Sequence, residues 1–382
     1  MNPIFAGLPT TVFEHFSGLA REHGAVNLGQ GFPDFGWPDD VVAAAAEALR
    51  TQSNQYAPMR GLPALREAVA DHYRAHQGLE VAPDQVVVTS GATEALAAAI
   101  LALVKPGDEV VLFQPLYDAY LPMVLRAGGV PKLVRLTPPD WRIEEDALAE
   151  AFGERTRLVI FNNPHNPTAR LFGREELELL ARHCVARDAL AISDEVWEHL
   201  VFDGRVFHSL AAMPGMAERT VKIGSAGKIF SLTGWKVGWA VAPPPLADAF
   251  SKAHQFLTFS TAPNLQAAVA QGLAKGADYY AGMRAGFAAA RDRLAAGLGA
   301  EGFAVLPAEG TYFLNVDLEH SGVASGDTAF CEQAVRETGV AAIPLSAFYA
   351  EAPVTSVVRL CFAKGEEVLA RGIEGLARAR RL

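Results

Sequence analysis

The chain has 382 residues, half of them apolar and a fifth charged, with a formal net charge of -10 at pH 7. That length exceeds what one core usually holds, and the composition excludes a disordered or fibrous chain. The acidic balance excludes an electrostatic footprint for nucleic acid, since the one dense basic run, Arg378 to Arg381, reads as the last turn of a helix.

Three cysteines, Cys184, Cys331 and Cys361, are odd in number and widely spaced. They form neither a disulfide framework nor a metal-ligand pattern, they sit among Leu, Val and Phe, and they point to core packing in a reducing cytoplasm. The stretch Met1 to Phe16 has no Lys or Arg and no continuous apolar core, so it does not read as a signal peptide. The longest apolar run, Ala95 to Val104, is too short to span a bilayer.

In chain order, residues 1–45 are punctuated by Gly and Pro and read as an N-terminal arm that joins a smaller C-terminal domain. Residues 46–278 read as a large domain. In it short runs rich in Val and Ile alternate with helical patterns, which predicts a mostly parallel sheet covered by helices on both faces, a three-layer α/β/α domain. The strand-like runs are Val86–Thr89, Glu109–Phe113, Lys132–Leu136, Leu158–Asn162, Leu190–Ser193, Thr220–Ile223 and Gly238–Ala242. The segment Glu94 to Val104 is apolar all round and is expected to be a helix buried on every side. Glu175 to Ala189 places Leu177, Leu180, Ala181 and Cys184 on one helical face. Residues 279–382 change character: a long Ala-rich helix, Tyr279 to Leu298, precedes the runs Phe303–Leu306, Tyr312–Val316 and Val357–Cys361, a smaller α+β domain.

Five segments carry chemistry. Val88-Thr-Ser-Gly-Ala-Thr93 is a strand, a glycine turn and a helix start, whose free N–H groups suit a phosphate. Asn162-Asn-Pro-His-Asn-Pro-Thr168 follows another strand and reads as a turn that presents Asn166. Ile192-Ser-Asp-Glu-Val-Trp197 ends an apolar strand on Asp194. A buried carboxylate needs a cation or several donors, and a pyridinium nitrogen is such a cation. In Ser225-Ala-Gly-Lys-Ile-Phe-Ser-Leu-Thr-Gly-Trp-Lys-Val-Gly-Trp239, a strand runs into small residues and presents Lys228 in apolar company. Desolvation there favours the neutral amine that an imine requires. Ser225 and Lys236 flank it with a hydroxyl and a cation for a phosphate. A nucleotide-binding Walker loop is excluded, because it needs Gly at 222 and Ser or Thr at 229, where the chain has Lys222 and Ile229. Arg359 lies mid-strand in Val357-Val-Arg-Leu-Cys361, so it requires a carboxylate from the protein or from a substrate.

These segments, in this order, resemble the class I aminotransferases of fold type I, which use pyridoxal 5′-phosphate (PLP). The likeness runs over nearly the whole chain and is closest to the kynurenine, glutamine and methionine aminotransferase branch, to which the opening Val26-Asn-Leu-Gly-Gln-Gly-Phe-Pro-Asp-Phe35 also belongs in type. The resemblance implies that Lys228 carries the cofactor as a Schiff base and then moves the substrate's α-proton. Asp194 would pair with the pyridinium nitrogen, Asn166 would contact the phenolate oxygen, and Tyr117 would stack on the ring. Gly91, Ala92, Thr93, Ser225 and Lys236 would hold the phosphate. Tyr56 would reach the phosphate of a neighbouring subunit, which implies a homodimer with shared sites. Arg359 would clamp the substrate carboxylate, with the backbone of Gly31 and the ring of Phe13 closing the pocket from the arm. Two departures stand out. Trp197 occupies a position where the family usually has Tyr, and its indole N–H can donate to the phenolate oxygen but cannot ionise. Ala169 replaces a common Gly, expected to be a backbone detail.

The activity so implied is ping-pong transamination from a neutral, sulfur-containing, aromatic, glutamine-like or kynurenine-like L-amino acid to a 2-oxo acid. The alternatives are a carbon–sulfur β-lyase and an aspartate or N-succinyldiaminopimelate aminotransferase on the same scaffold. Aspartate is disfavoured by the absence of Arg and Lys from Gln255-Phe-Leu-Thr-Phe-Ser-Thr-Ala-Pro-Asn264, which offers Phe256 and Phe259 instead. A PLP-binding regulator would need a basic DNA-reading domain that these 382 residues lack, and a non-catalytic protein would have little use for Lys228, Asp194 and Arg359 together.

Overall fold

Short β-branched runs bounded by Gly, Pro and Asn fold into thirteen strands in the computed structural model, which describes residues 2–382. The arm supplies β1 (Val26–Asn27). The central part supplies β2 (Val86–Thr89), β3 (Glu109–Gln114), β4 (Val130–Arg135), β5 (Thr156–Asn162), β6 (Leu190–Asp194), β7 (Thr220–Ser225) and β8 (Gly238–Val241). The C-terminal part supplies β9 (Ala304–Val305), β10 (Phe313–Asp317), β11 (Val340–Ala341), β12 (Ile343–Pro344) and β13 (Val357–Cys361).

Strands β2 to β8 make one sheet in the order β2-β8-β7-β6-β5-β3-β4. All its neighbours are parallel except at β8, which runs antiparallel to both β2 and β7. The register matters most at one edge. Asn162 lies opposite Asp194, and Gly238 lies opposite both Ser225 and Thr89. The C-terminal ends of β2, β5, β6 and β7 therefore open onto one line, the crevice where open α/β sheets bind ligands.

A second sheet, β12-β13-β10-β9, is antiparallel and places Asn315 opposite Arg359. The arm reaches the C-terminal part through β1, which pairs in parallel with β11, Val26 opposite Val340. Its glycines are required by close approach. A Cβ on Gly31 would lie 2.7 Å from the Phe313 ring, and one on Gly29 would lie 2.9 Å from Ile343.

Most expected elements form within a few residues of their predicted limits. The helix at 174–186 buries Leu177, Leu180, Ala181 and Cys184, and the long helix spans Ala277–Ala300. All three cysteines are buried and unpaired, and burial pushes the Cys184 thiol up to about 12. One expectation needs correction. The helix Ala92–Leu103 is not buried on every side, because Leu101 is 49% exposed. The sheet and the helix Pro244–Leu257 cover it only in part. Ala169 also proves more than a detail. It sits at φ 63°, in the left-handed region that a Gly would occupy without a Cβ clash.

Behind β6 lies a buried polar cluster. The Lys222 ammonium is shared between the carboxylates of Glu195 and Glu198, the second at 2.7 Å. Glu198 also accepts from Gln77 at 2.6 Å and from Tyr73 at 3.2 Å. His72 and His199 bond to each other through their Nε2 atoms at 2.7 Å, and burial drives His72 down to about 3, so the pair is neutral. This network of ion pairs and hydrogen bonds anchors the loop that leaves Asp194. Among the described residues, no helix is long and apolar enough to cross a membrane.

Candidate active site

A cavity of about 220 Å³ opens at the C-terminal edge of the large sheet. It gathers residues that lie far apart in sequence. Gly91, Ala92 and Thr93 come from the turn after β2, and Tyr117 from the loop after β3. Asn166 follows β5, Asp194 and Trp197 end β6 and its loop, and Ser225, Lys228 and Lys236 follow β7. Ten of the residues singled out from sequence thus line one hollow.

The floor is built for an anion. Gly91 has φ 81°, and no side chain caps the helix Ala92–Leu103 that it starts. The Lys236 ammonium stands over this turn, since a Cβ on Gly91 would lie 3.2 Å from Lys236 Nζ. Free N–H groups, a twelve-residue helix dipole and a cation converge where a phosphate could sit.

Asp194 lies at the inner wall. Its Oδ2 accepts from the Tyr120 hydroxyl at 2.7 Å, and its Oδ1 from Val196 N–H at 3.4 Å. It has no ion pair among the described residues. Burial pushes its carboxyl up against the pull of Tyr120 and Val196. A buried carboxylate with donors on one side and no cation fits a protonated ring nitrogen. Asn162 fixes the local geometry: its amide donates to the Asp194 carbonyl at 2.8 Å, and its side-chain oxygen accepts from Asn166 N–H at 2.7 Å.

Lys228 projects from a short helix, Ala226–Ile229, directly after β7. Its amine donates to the Tyr312 hydroxyl at 3.0 Å and lies 4.7 Å from the centre of the Trp197 ring. Burial lowers it from 10.5 to about 8, with Asp194 pulling the other way and Lys236 and Arg359 adding to the fall. That is the value expected of a lysine poised to form an imine and carry protons.

Arg359 lies just beyond, at the centre of β13. Its Nη1 donates to Asn166 Oδ1 and its Nη2 to the Gly29 carbonyl, both at 2.9 Å. Its buried Nε has no partner. Among the described residues it pairs with no carboxylate. Rings enclose it: Phe313 at 3.9 Å, Phe348 at 5.0 Å and Phe13 at 5.3 Å. Burial holds the guanidinium down to about 10. Phe13, Gly31 and Arg359 thus border the cavity from the arm and β13 rather than lining it. Tyr56 lies outside it, 85% exposed, with its ring against Phe259 at 5.6 Å.

Tyr120 and Tyr312 were missed in the sequence. Tyr120 sits four residues beyond Leu116 with no motif around it, and Tyr312 begins a run that read only as a strand.

The family description "Aminotransferase class I and II" matches residues 23–376. The chain belongs to this family. It is 43% identical to the methionine aminotransferase of Escherichia coli over 371 residues, 97% of this chain and 96% of that one. It is 36% identical to human kynurenine–oxoglutarate transaminase 1 over 397 residues, 95% of this chain and 94% of the relative. The solved structure of N-succinyldiaminopimelate aminotransferase from Mycobacterium tuberculosis superimposes with a TM-score of 0.96 at 44% identity, over 99% of this chain and 100% of that one. The protein is a PLP-dependent aminotransferase of fold type I, acting on an amino acid and a 2-oxo acid.

The buried, uncompensated Asp194 and the lowered amine of Lys228 fit PLP. If Lys228 is the attachment point, borohydride reduction of the holoenzyme followed by peptide mapping finds the pyridoxyl group on Lys228. Formation of the Schiff base from apoprotein and PLP then speeds up with pH through about 8, as the free Lys228 amine loses its proton. A label on Lys222 or Lys236, or a rate that falls over that range, contradicts the assignment.

Proposed function

We propose that this aminotransferase takes neutral amino acids with bulky sulfur-containing or aromatic side chains, of the methionine, phenylalanine, glutamine or kynurenine type, in the cytoplasm. When bound, PLP supplies the electron sink for carbanion chemistry at the substrate's α-carbon. The chain supplies the rest. Lys228 holds the cofactor and moves the proton at the α-carbon, Asp194 pairs with the ring nitrogen, and Asn166 and Trp197 face the phenolate side. Tyr117 packs on the ring, and Gly91, Ala92, Thr93, Ser225 and Lys236 receive the phosphate. Residues 46–278 carry this machinery. The arm (1–45) and residues 279–382 bring Phe13, Gly31 and Arg359 to it.

One observation carries the substrate class. Arg359 is buried and pairs with no protein carboxylate among the described residues, yet Phe13, Phe313 and Phe348 surround it. Its fork suits one bidentate carboxylate. Apolar rings then favour a thioether or aromatic side chain, each such contact being worth about 1 kcal/mol. A second reading, a substrate with a distal carboxylate, rests on Lys364. Its buried ammonium lies 4.3 Å from the centre of the Phe32 ring and donates to the Phe32 carbonyl. The named substrates of the 43–44% identical relatives, methionine and N-succinyldiaminopimelate, span both readings.

Half-reactions of the PLP form with single amino acids decide between them, because they need no knowledge of the acceptor. Methionine and phenylalanine are expected to convert the cofactor faster, at equal concentration, than aspartate or N-succinyldiaminopimelate. Faster conversion by either acid overturns the neutral class. Pyruvate release from a cysteine conjugate without a 2-oxo acid would instead reveal β-lyase activity.

The working unit is a homodimer with shared sites. Tyr56, Phe256 and Leu257 are 85%, 85% and 44% exposed in the single chain, an apolar surface in need of cover. Tyr56, next to Phe259, would serve the phosphate of the other subunit. In a mixed dimer of Tyr56→Phe and Lys228→Ala subunits, both lesions should fall in one site and leave the other active. An active monomer by light scattering, or two impaired sites in the mixed dimer, contradicts sharing.

A further inference from the structure

Tyr312 links the arm to Lys228 by a chain of two hydrogen bonds with a definite polarity. It stands just before β10, is fully buried, and packs edge-on against Trp197 with ring centres 4.4 Å apart. Its hydroxyl lies 2.5 Å from the Gly31 carbonyl and 3.0 Å from Lys228 Nζ. A carbonyl can only accept, so the single phenolic proton goes to Gly31. Burial keeps that phenol protonated, well above its ordinary range. The tyrosine oxygen can therefore offer Lys228 only a lone pair, and the bond between them uses an N–H of the lysine.

This polarity matters for a lysine that must accept a proton. A neutral amine has two N–H bonds and one lone pair. A hydroxyl free to rotate could donate to that lone pair and mask it. Here the donor is committed to the arm, and no other hydrogen bond to Lys228 Nζ forms among the described residues. Trp197, standing where a Tyr is common, offers the amine a ring face at 4.7 Å and no hydroxyl.

We propose that Tyr312 is a positioning residue. It fixes the free amine of Lys228 through one N–H and leaves the lone pair open to the substrate's α-proton. The arm takes part because the Gly31 carbonyl sets the direction of the tyrosine O–H. In the step served, the Lys228 lone pair takes the proton from the α-carbon. The amine becomes an ammonium, and the C–H electron pair passes into the electron sink that the bound cofactor provides. The inference rests on Lys228 as the proton carrier, which pyridoxyl mapping on the wild-type enzyme decides separately.

The Tyr312→Phe protein removes one oxygen and keeps the ring. In its apoprotein, competitive acetylation read by mass spectrometry should show the Lys228 amine titrating about one unit lower than in the wild type, since an acceptor for the ammonium is gone. In the loaded enzyme the plateau half-reaction rate should fall about tenfold or more, and the effect of deuterium at the α-carbon should rise. Binding of 3-phenylpropionate, a carboxylate without an amine, should change less than about twofold, because Arg359 is untouched. If Tyr312→Phe does not fold, 3-fluorotyrosine at 312 keeps the shape and weakens the oxygen as acceptor. It should move the lysine in the same direction by a smaller step. An unchanged Lys228 titration together with a plateau rate within about twofold of wild type overturns the proposal. So does a loss of 3-phenylpropionate binding that accounts for the whole fall in rate.

Discussion

Everything at this site depends on three ionisable groups, Asp194 and Arg359 buried and Lys228 half-buried, that the protein itself leaves without an ion pair. Asp194, Lys228 and Arg359 converge at the C-terminal edge of the large sheet, and none forms an ion pair among the described residues. Isolated charges of this kind are costly in a protein interior, and they persist where neighbours hold them for a ligand. The scaffold does hold them. Asp194 ends a central strand, Lys228 lies in a four-residue helix directly after the next, and Arg359 sits mid-strand in the second sheet. Contrast the cluster immediately behind. There Lys222 is paired with Glu195 and Glu198 and the histidines bond to each other. A network of paired charges adjoins three groups that, on the proposed function, are kept for cofactor and substrate.

The strong features of the fold were legible because period and punctuation agreed. Val86–Thr89 and Val357–Cys361 form as read, and the strands ending at Asn162 and Asp194 expose the residues that their motifs marked. Lys228 was legible from its company of small and apolar residues, and Arg359 from its position inside an apolar strand. What escaped was whatever depends on the third dimension. Tyr120 and Tyr312 look like core aromatics in a linear pattern, and only the crossing of distant segments gives their hydroxyls partners. The exposure of Leu101 escaped for a related reason: an apolar stretch does not say how much of its surface the fold will cover. Ala169 shows the limit on backbone inference, since its left-handed φ of 63° belongs to the turn in which its N–H donates to the His165 carbonyl, which the sequence does not display.

The arm is part of the site's electrostatics as well as its wall. Its Gly29 and Gly31 carbonyls accept from Arg359 and Tyr312, so the group we propose for the substrate carboxylate and the partner of Lys228 are both bonded to one short segment. Both glycines are needed because Ile343 and Phe313 lie where a Cβ would go. Placement of the arm by the pairing of β1 with β11 thus sets the orientation of groups far from that pairing.

The account stands on Asp194 being a charge kept for the cofactor at the expense of the empty protein. The direct measurement is a paired one on Asp194→Asn: thermal unfolding of the apoprotein, and the affinity for PLP. Removing a buried charge while keeping its shape should raise the apoprotein's melting temperature and weaken PLP binding. An apoprotein that melts lower while PLP binds as tightly as before would mean that Asp194 serves the fold, and the account would be wrong.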